Sequence, residues 1–211
     1  MEKRFEKYRD LIINKIEGGY YNPDRHYTEA MGKSGETMFG IDRVNGGVDV
    51  TQSDEGQKFW AIIDANSAGW PRYYRGGANE QILIQLAGQM MYNRYKIYSG
   101  KFITPEARKL IAKSPRLESH FYYACWNGPG RFQQFGKEIS EAVSAGKKNI
   151  SELENIALQS RLNSSVPLIR TGGAILRDKV WLELPERNSN GGGWFWWILA
   201  AGVGVYFLTK K

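Results

Sequence analysis

Near the start of the chain stands Lys15-Ile16-Glu17-Gly18-Gly19-Tyr20-Tyr21-Asn22-Pro23, a stretch that ends a helix in front of a loop. Upstream apolar residues recur at helical spacing, so residues 3–17 are predicted to form one amphipathic helix. The two glycines stop a helix, and the Asn-Pro pair prevents its quick resumption. A carboxyl group at the partly negative C-terminal end of a helix tends to have a raised pKa. Glu17 is therefore predicted to lie where a general acid can act.

A second motif, Gly35-Glu36-Thr37-Met38-Phe39-Gly40-Ile41, follows a polar loop. With Glu17-Gly18-Gly19-Tyr20 it resembles the "EGGY…GGET-x-x-GI" signature of the N-acetylmuramidases of glycoside hydrolase family 108, a branch of the lysozyme-like superfamily. Another segment, Tyr123-Ala124-Cys125-Trp126-Asn127-Gly128-Pro129-Gly130-Arg131, is similar to the "A-Y-N-A-G-P-G-R" segment of lytic transglycosylases. These blocks span roughly residues 10–135. The resemblance implies a lysozyme-like fold and cleavage of peptidoglycan glycan strands.

The resemblance also implies roles for individual residues. Glu17 matches the catalytic glutamate that protonates the glycosidic oxygen, and Thr37 matches a threonine that helps to position the attacking water. The residues expected to bind the glycan lie inside the matched motifs and are Tyr20, Glu36, Tyr123, Trp126 and Asn127. Aromatic rings with polar edges suit the apolar faces of pyranose sugars.

The second carboxylate of such a site is uncertain in this sequence, because Gly32 stands where the family carries an aspartate. Asp24 is the first choice, and Glu29, Glu36 and Asp42 are alternatives. An inverting hydrolase needs two carboxyl groups about 6.5–9.5 Å apart. A lytic transglycosylase needs a single glutamate, since the 6-hydroxyl of the substrate attacks. Both mechanisms therefore remain open, as does a lysozyme-like protein that binds glycan without cleaving it.

The first 185 residues are predicted to form a mainly α domain of the α+β type. Helices are expected after Ser53-Asp54, Asn79, Thr104-Pro105 and Ser114-Pro115, around Phe132–Val143, and after a capping box at Ser151–Glu154. A small β-hairpin is expected near the site, with strands at residues 37–41 and 47–50 around an Asn45-Gly46 turn. Residues 165–187 fit either a last helix or an extended connection.

The C-terminus changes character after Pro185. Residues 186–193 are predicted to be a polar, glycine-rich linker, and residues 194–209 a transmembrane anchor. Tryptophans crowd one end of the anchor and Lys210-Lys211 follow the other, as in membrane spans. The spacing Ala200-x-x-x-Gly204 permits self-association of such helices. The expected partners are thus peptidoglycan, a lipid bilayer and other virion proteins or copies of the chain.

Charge and cysteine content narrow the remaining function classes. A formal net charge of +7 attracts the protein to anionic wall polymers and lipid headgroups. The sequence has no recognisable nucleic-acid-binding motif that would explain the charge instead. Cys125 is the single cysteine, so no intramolecular disulfide can form.

His26 and His120 lack metal-ligand spacing and are expected on a loop or helix surface, so no metal or cofactor is predicted. The charged N-terminus is unlike a signal peptide. These features favour a muramidase on the membrane of a membrane-containing phage, with a tail-anchored bacterial enzyme as the alternative.

Overall fold

The computed structural model describes residues 1–17, 20–21, 37–43, 46–65 and 79–185. Most of these residues are helical, and three short strands form one small antiparallel sheet. The helices are α1 (Lys3–Lys15), α2 (Val48–Thr51), α3 (Asp54–Ala65), α4 (Glu80–Phe102), α5 (Pro105–Ile111), α6 (Pro115–Ala124), α7 (Pro129–Ser144), α8 (Ile150–Leu162) and α9 (Pro167–Ile175). The strands are β1 (Tyr20–Tyr21), β2 (Thr37–Met38) and β3 (Ile41–Asp42). The prediction of a mainly α domain with a small sheet is confirmed.

The long helix α4 forms the centre of the domain. It packs against α1, α3, α6 and α7. Where α1 crosses it, the Phe5 ring lies 4.9 Å from the rings of Tyr92 and Tyr95 and 5.4 Å from those of Tyr8 and Tyr122. Aromatic pairs at these separations contribute about 0.5–1.5 kcal/mol each beyond their buried area. The N-terminal half of α1 is therefore held firmly by the core.

Helix starts follow the predicted capping chemistry at Ser53 and Ser114, with two corrections elsewhere. Asn79 precedes α4 as predicted, but its side chain makes no capping hydrogen bond. The Ser114 hydroxyl accepts a hydrogen bond from the Leu117 amide at 3.0 Å, and Ser53 does the same for Gly56. At α8 the cap is Asn149, which accepts from the Glu152 amide at 3.3 Å. The predicted capping box that began at Ser151 is wrong, because the helix already starts at Ile150.

The sheet lies earlier in the chain than predicted. Strands β2 and β3 are joined by Phe39-Gly40, so the hairpin turns there and not at Asn45-Gly46, of which Asn45 lies outside the described residues. The predicted strand at residues 47–50 is wrong, since Val48–Thr51 is a helical turn. Its Val50 is buried and its Thr51 hydroxyl donates to the Gly47 carbonyl, contacts that a helical turn provides.

The last described segment is helical and belongs to the domain. Helix α9 continues into a π-helical turn (Leu176–Val180) and a 3₁₀ turn (Trp181–Glu183), so the helical alternative predicted for residues 165–187 is confirmed as far as the described residues reach, at 185. No helix in the described ranges has both the length and the apolar character that crossing a membrane requires. The predicted linker at 186–193 and anchor at 194–209 lie outside those ranges.

Candidate functional site

Glu17 lies just beyond the C-terminal end of α1, which stops at Lys15 rather than at residue 17. The Glu17 amide still donates to the Ile12 carbonyl at 3.0 Å, so the residue is fixed to the last helical turn. Its half-buried carboxyl group faces the β2–β3 turn. A side chain at position 40 would overlap this carboxyl group, so only a glycine at that position lets the turn come this close to Glu17.

The turn that approaches Glu17 is strained. Phe39 and Gly40 both have positive φ, 51° and 71°, as a type I′ hairpin turn requires. For a bulky residue such as Phe39 this conformation costs of order 1–3 kcal/mol. Two contacts offset the cost: the Phe39 side chain is fully buried, and its carbonyl accepts a hydrogen bond from the Trp126 indole at 2.9 Å. Trp126 thereby fixes the turn beside Glu17.

Burial controls the protonation of Glu17. It raises the pKa of the carboxyl group to about 7, while the positive charge of Arg161 acts in the opposite direction. Near neutral pH a large share of Glu17 therefore remains protonated, as a general acid requires. The raised pKa expected for residue 17 agrees with this value, although desolvation is its main cause rather than the helix end.

Arg161 on α8 is a fully buried cation beneath the site. Its guanidinium donates to Nδ1 of His120 at 3.2 Å, to the His120 carbonyl at 3.1 Å and to Oδ1 of Asn127 at 2.9 Å. It also stacks over the rings of Tyr123 and Phe135, at 4.5 and 4.7 Å. The surface position expected for His120 is wrong, because α6 is buried along this whole side and His120 packs against Phe121 and Phe135.

Two of the predicted glycan-binding residues support this cation. Tyr123 is only 3% exposed, and its ring centre lies 4.5 Å from the Arg161 guanidinium. Burial and the charge of Glu17 raise the pKa of Tyr123 to about 12. Asn127 itself is partly exposed and accepts from Arg161. Their roles in binding glycan stay predictions, and the contact that both residues make in the structure is with Arg161.

The predicted water-positioning residue lies on the sheet. Thr37 on β2 pairs with Asp42 on β3, so their side chains share one face of the hairpin. Asp42 is thus the one alternative second carboxylate among the described residues. Asp24, Glu29 and Glu36 lie outside those residues. The backbone of Tyr20 belongs to β1, but its side chain is likewise outside the described part of the structure.

The structure contains a second buried carboxyl group that the sequence analysis missed. Glu118 on α6 is 3% exposed, accepts a hydrogen bond from the Tyr8 hydroxyl at 3.2 Å and pairs with Arg4 at 3.1 Å. Burial raises the pKa of Glu118 to about 7. A cleft of about 350 Å³ lies beside it, lined also by Tyr95 and Lys96, and does not include Glu17. Glu118 is therefore a competing candidate acid, although its carboxylate already has two partners.

Glu118 should make folding stability depend on pH. Its pKa is higher in the folded protein than in the unfolded chain, so its contribution is complete below about pH 4.5 and is lost as pH rises through about 7. We expect a loss on the order of 3 kcal/mol between pH 4.5 and pH 8 from this group. Urea unfolding of the full chain at several pH values should show that Glu118→Gln removes this component. Glu106→Gln, on the exposed side of α5, should retain it, and equal pH dependence in all three proteins would contradict the prediction.

A sequence signal was available for Arg161. It follows the buried Leu153, Ala157 and Leu158 at helical spacing, so it continues an apolar stripe rather than the polar face. A charged residue within an apolar stripe is rarely buried without a partner, and this marks the position. Glu118 had no comparable signal, because its neighbours Arg116, Ser119 and His120 are polar as well.

The comparisons with known proteins add no information about the site. No protein-family model, curated protein or solved structure matches this chain. Within the described ranges, no three His, Cys, Asp or Glu residues are grouped so that they could hold a metal ion.

Proposed function

We propose that this protein cleaves the glycan strands of peptidoglycan, with Glu17 as the general acid at the β-1,4 bond between N-acetylmuramic acid and N-acetylglucosamine. The proposal includes a lysozyme-like fold for residues 1–185. It requires no metal or cofactor, since a carboxylic acid supplies the proton and the second substrate is water or a substrate hydroxyl.

One observation carries the proposal: the Glu17 carboxyl group is half-buried at a helix end, has a pKa of about 7 and faces a strained turn with a glycine at the point of contact. Backbone strain of this kind is concentrated at functional sites. Glu118 has a similar pKa, but its carboxyl group is paired with Arg4 and Tyr8. The resemblance of the Glu17 and Thr37 motifs to muramidases supports the same choice.

The proton moves from Glu17 to the glycosidic oxygen as the bond from that oxygen to the anomeric carbon breaks, with the electron pair going to the oxygen. In the hydrolytic mechanism, water adds to the anomeric carbon and gives a proton to a carboxylate. Asp24 is the first choice for that base and Asp42, across the sheet from Thr37, is the alternative. Trp126, partly buried beside Gly40, is the best placed of the predicted residues to contact the sugar.

A lytic transglycosylase is the second candidate, favoured by the glycine at position 32. In that mechanism the 6-hydroxyl of the muramic acid attacks the anomeric carbon and its proton returns to the Glu17 carboxylate. The charged group that acts on Glu17 is the cation Arg161, so the described surroundings suit a lone glutamate. The product is then a 1,6-anhydro sugar.

We also propose that residues 194–209 anchor the protein in a membrane with the domain facing peptidoglycan. The support is their uncharged, aromatic-rich composition and the two lysines that end the chain. The membrane of a phage particle or the bacterial inner membrane would suit this arrangement. Self-association through Ala200 and Gly204 or contact with other virion proteins belongs to the same proposal.

Product analysis tests the function directly. The full chain in detergent micelles is incubated with purified sacculi, and soluble products are identified by mass spectrometry. Muropeptides with new reducing ends are expected for a hydrolase, and 1,6-anhydro products would identify the transglycosylase. Sacculi that remain intact while the protein still binds them would refute cleavage and favour a non-catalytic glycan-binding protein.

A further inference from the structure

We infer that Arg161 is a positioning residue of this site, whose buried guanidinium supplies a fixed positive charge that stabilises the Glu17 carboxylate after its proton has been transferred. The inference rests on the proposed role of Glu17. It concerns a residue outside all the motifs from which that role was derived.

The position of Arg161 is unusually well determined. Three hydrogen bonds and two aromatic faces hold the guanidinium, and every one of its hydrogen-bond partners is electrically neutral. Burial lowers the pKa of Arg161 to about 10, which leaves it charged at neutral pH. Burying a cation whose hydrogen-bond partners carry no charge costs free energy, and a nearby negative charge reduces that cost. The one carboxyl group of the described residues that acts on Arg161 is Glu17. Asn127 accepts from Arg161, and its neighbour Trp126 lies beside Gly40, which the Glu17 carboxyl group faces, so one short segment joins the two charged groups.

Two glycines on α9 leave room for the side chains of Tyr123 and Arg161. A side chain at position 172 would overlap the Tyr123 hydroxyl, and one at position 173 would meet Cβ of Arg161. The glycine pair therefore lets α9 pack closely on both residues. This accounts for Gly172-Gly173, which the proposed function leaves unexplained.

His120 keeps the charge of this cluster constant. Its Nδ1 atom accepts from Arg161, so the ring proton is on Nε2 and the imidazole is neutral. Burial and the neighbouring guanidinium lower the pKa of His120 well below its usual value. Arg161 and His120 together thus carry one positive charge across the pH range in which Glu17 titrates.

The stabilisation has a direct chemical consequence. Proton transfer to the glycosidic oxygen leaves a carboxylate in a desolvated site, and a preorganised cation lowers the free energy of that state. Without Arg161, Glu17 would be a weaker acid that holds its proton to higher pH. The groups from the described elements that act on Glu17 or Arg161 are Tyr123, Cys125 and His120, all neutral near pH 7.

The test measures the titration of Glu17 itself and so does not need an active enzyme. The full chain in detergent micelles is labelled with ¹³C at the glutamate side-chain carboxyl carbon, and the Glu17 resonance is assigned by its loss in Glu17→Gln. In Arg161→Met the midpoint of the Glu17 titration should rise above about 7. Arg161→Lys, which keeps the charge, should leave the midpoint closer to that of the natural protein.

If Arg161→Met does not fold, Arg161→Gln supplies the same comparison, because its amide can still donate hydrogen bonds but carries no charge. An unchanged Glu17 midpoint in the folded variants overturns the inference. If the natural protein cleaves sacculi, the alkaline limb of the pH–rate profile of Arg161→Met should move to higher pH, as the Glu17 midpoint does, and its maximal rate should fall. Failure of cleavage with a shifted midpoint refutes the proposed function alone.

Discussion

Replacing Glu17 by glutamine should lower the rate of glycan cleavage by about 10²–10⁴-fold, the usual contribution of a general acid. The amide has nearly the shape of the protonated carboxyl group, so the turn at Gly40 and the helix end should be undisturbed. What is lost is the proton that the leaving oxygen needs. The measurement is the rate of release of soluble muropeptides from sacculi at fixed enzyme concentration and at pH 6.

Glu118→Gln is the matched control for this experiment. Both glutamates have pKa values raised to about 7 by burial, so both variants remove a titrating carboxyl group of the same kind. The amide oxygen of a glutamine can still accept from Tyr8, and we expect cleavage within about twofold of the natural rate. Loss of activity in Glu118→Gln with activity retained in Glu17→Gln would move the acid to the cleft beside Arg4 and contradict our assignment.

Replacing Arg94 by methionine should destabilise the domain by about 1–3 kcal/mol, the cost of leaving a buried hydrogen-bonding group without its partner. Arg94 is 4% exposed and forms a bidentate pair with Asp49, at 2.8 and 2.7 Å. It also donates to the Cys125 carbonyl at 3.0 Å and to the Gly46 carbonyl. Methionine fills a similar volume but leaves two carbonyl groups without this donor. Urea unfolding of the full chain at pH 7 measures the loss.

Arg43→Met provides the comparison at the surface. Arg43 also forms a bidentate pair, with Asp64 at 2.7 and 2.6 Å, but both side chains are more than a third exposed. Exposed pairs contribute about 0–1 kcal/mol, so this variant should lose much less stability than Arg94→Met. Equal losses in the two variants would show that burial does not determine the value of these pairs.

Helices were the most predictable part of this molecule, because their signals are local. The apolar spacing before Glu17 and the serine or proline residues at positions 53, 105 and 114–115 predict helices α1, α3, α5 and α6 within two residues. Such patterns follow from side-chain periodicity and cap chemistry, which act over a few residues.

The hairpin was misplaced because its turn breaks the usual local rule. Asn-Gly is the favoured pair for a two-residue turn, and Phe39-Gly40 is a poor one. Burial of the Phe39 ring and the hydrogen bond from Trp126 overcome the intrinsic preference of the backbone. That hydrogen bond joins residues 87 positions apart, and no pattern within residues 37–51 could indicate it.

The proposed acid could be selected from the sequence, whereas its surroundings could not. The Glu17 motif could be recognised from a few adjacent residues, whereas Arg161 reaches the site only through the packing of α8 and α9 on α6. A single charged residue on a helix is usually solvated, and only its place in an apolar stripe indicated otherwise. Electrostatic partners that are distant in sequence are set by tertiary packing.

The glycine pair of α9 has a consequence for biosynthesis. A ribosome makes Glu17 early, but Gly172 and Gly173 are joined only after the 171 residues that precede them, and until then α9 cannot pack over Tyr123 and Arg161. A nascent chain therefore contains the proposed acid well before it contains the packed surroundings of Arg161. On the proposed function, the producing cell meets the complete site only when translation is nearly finished.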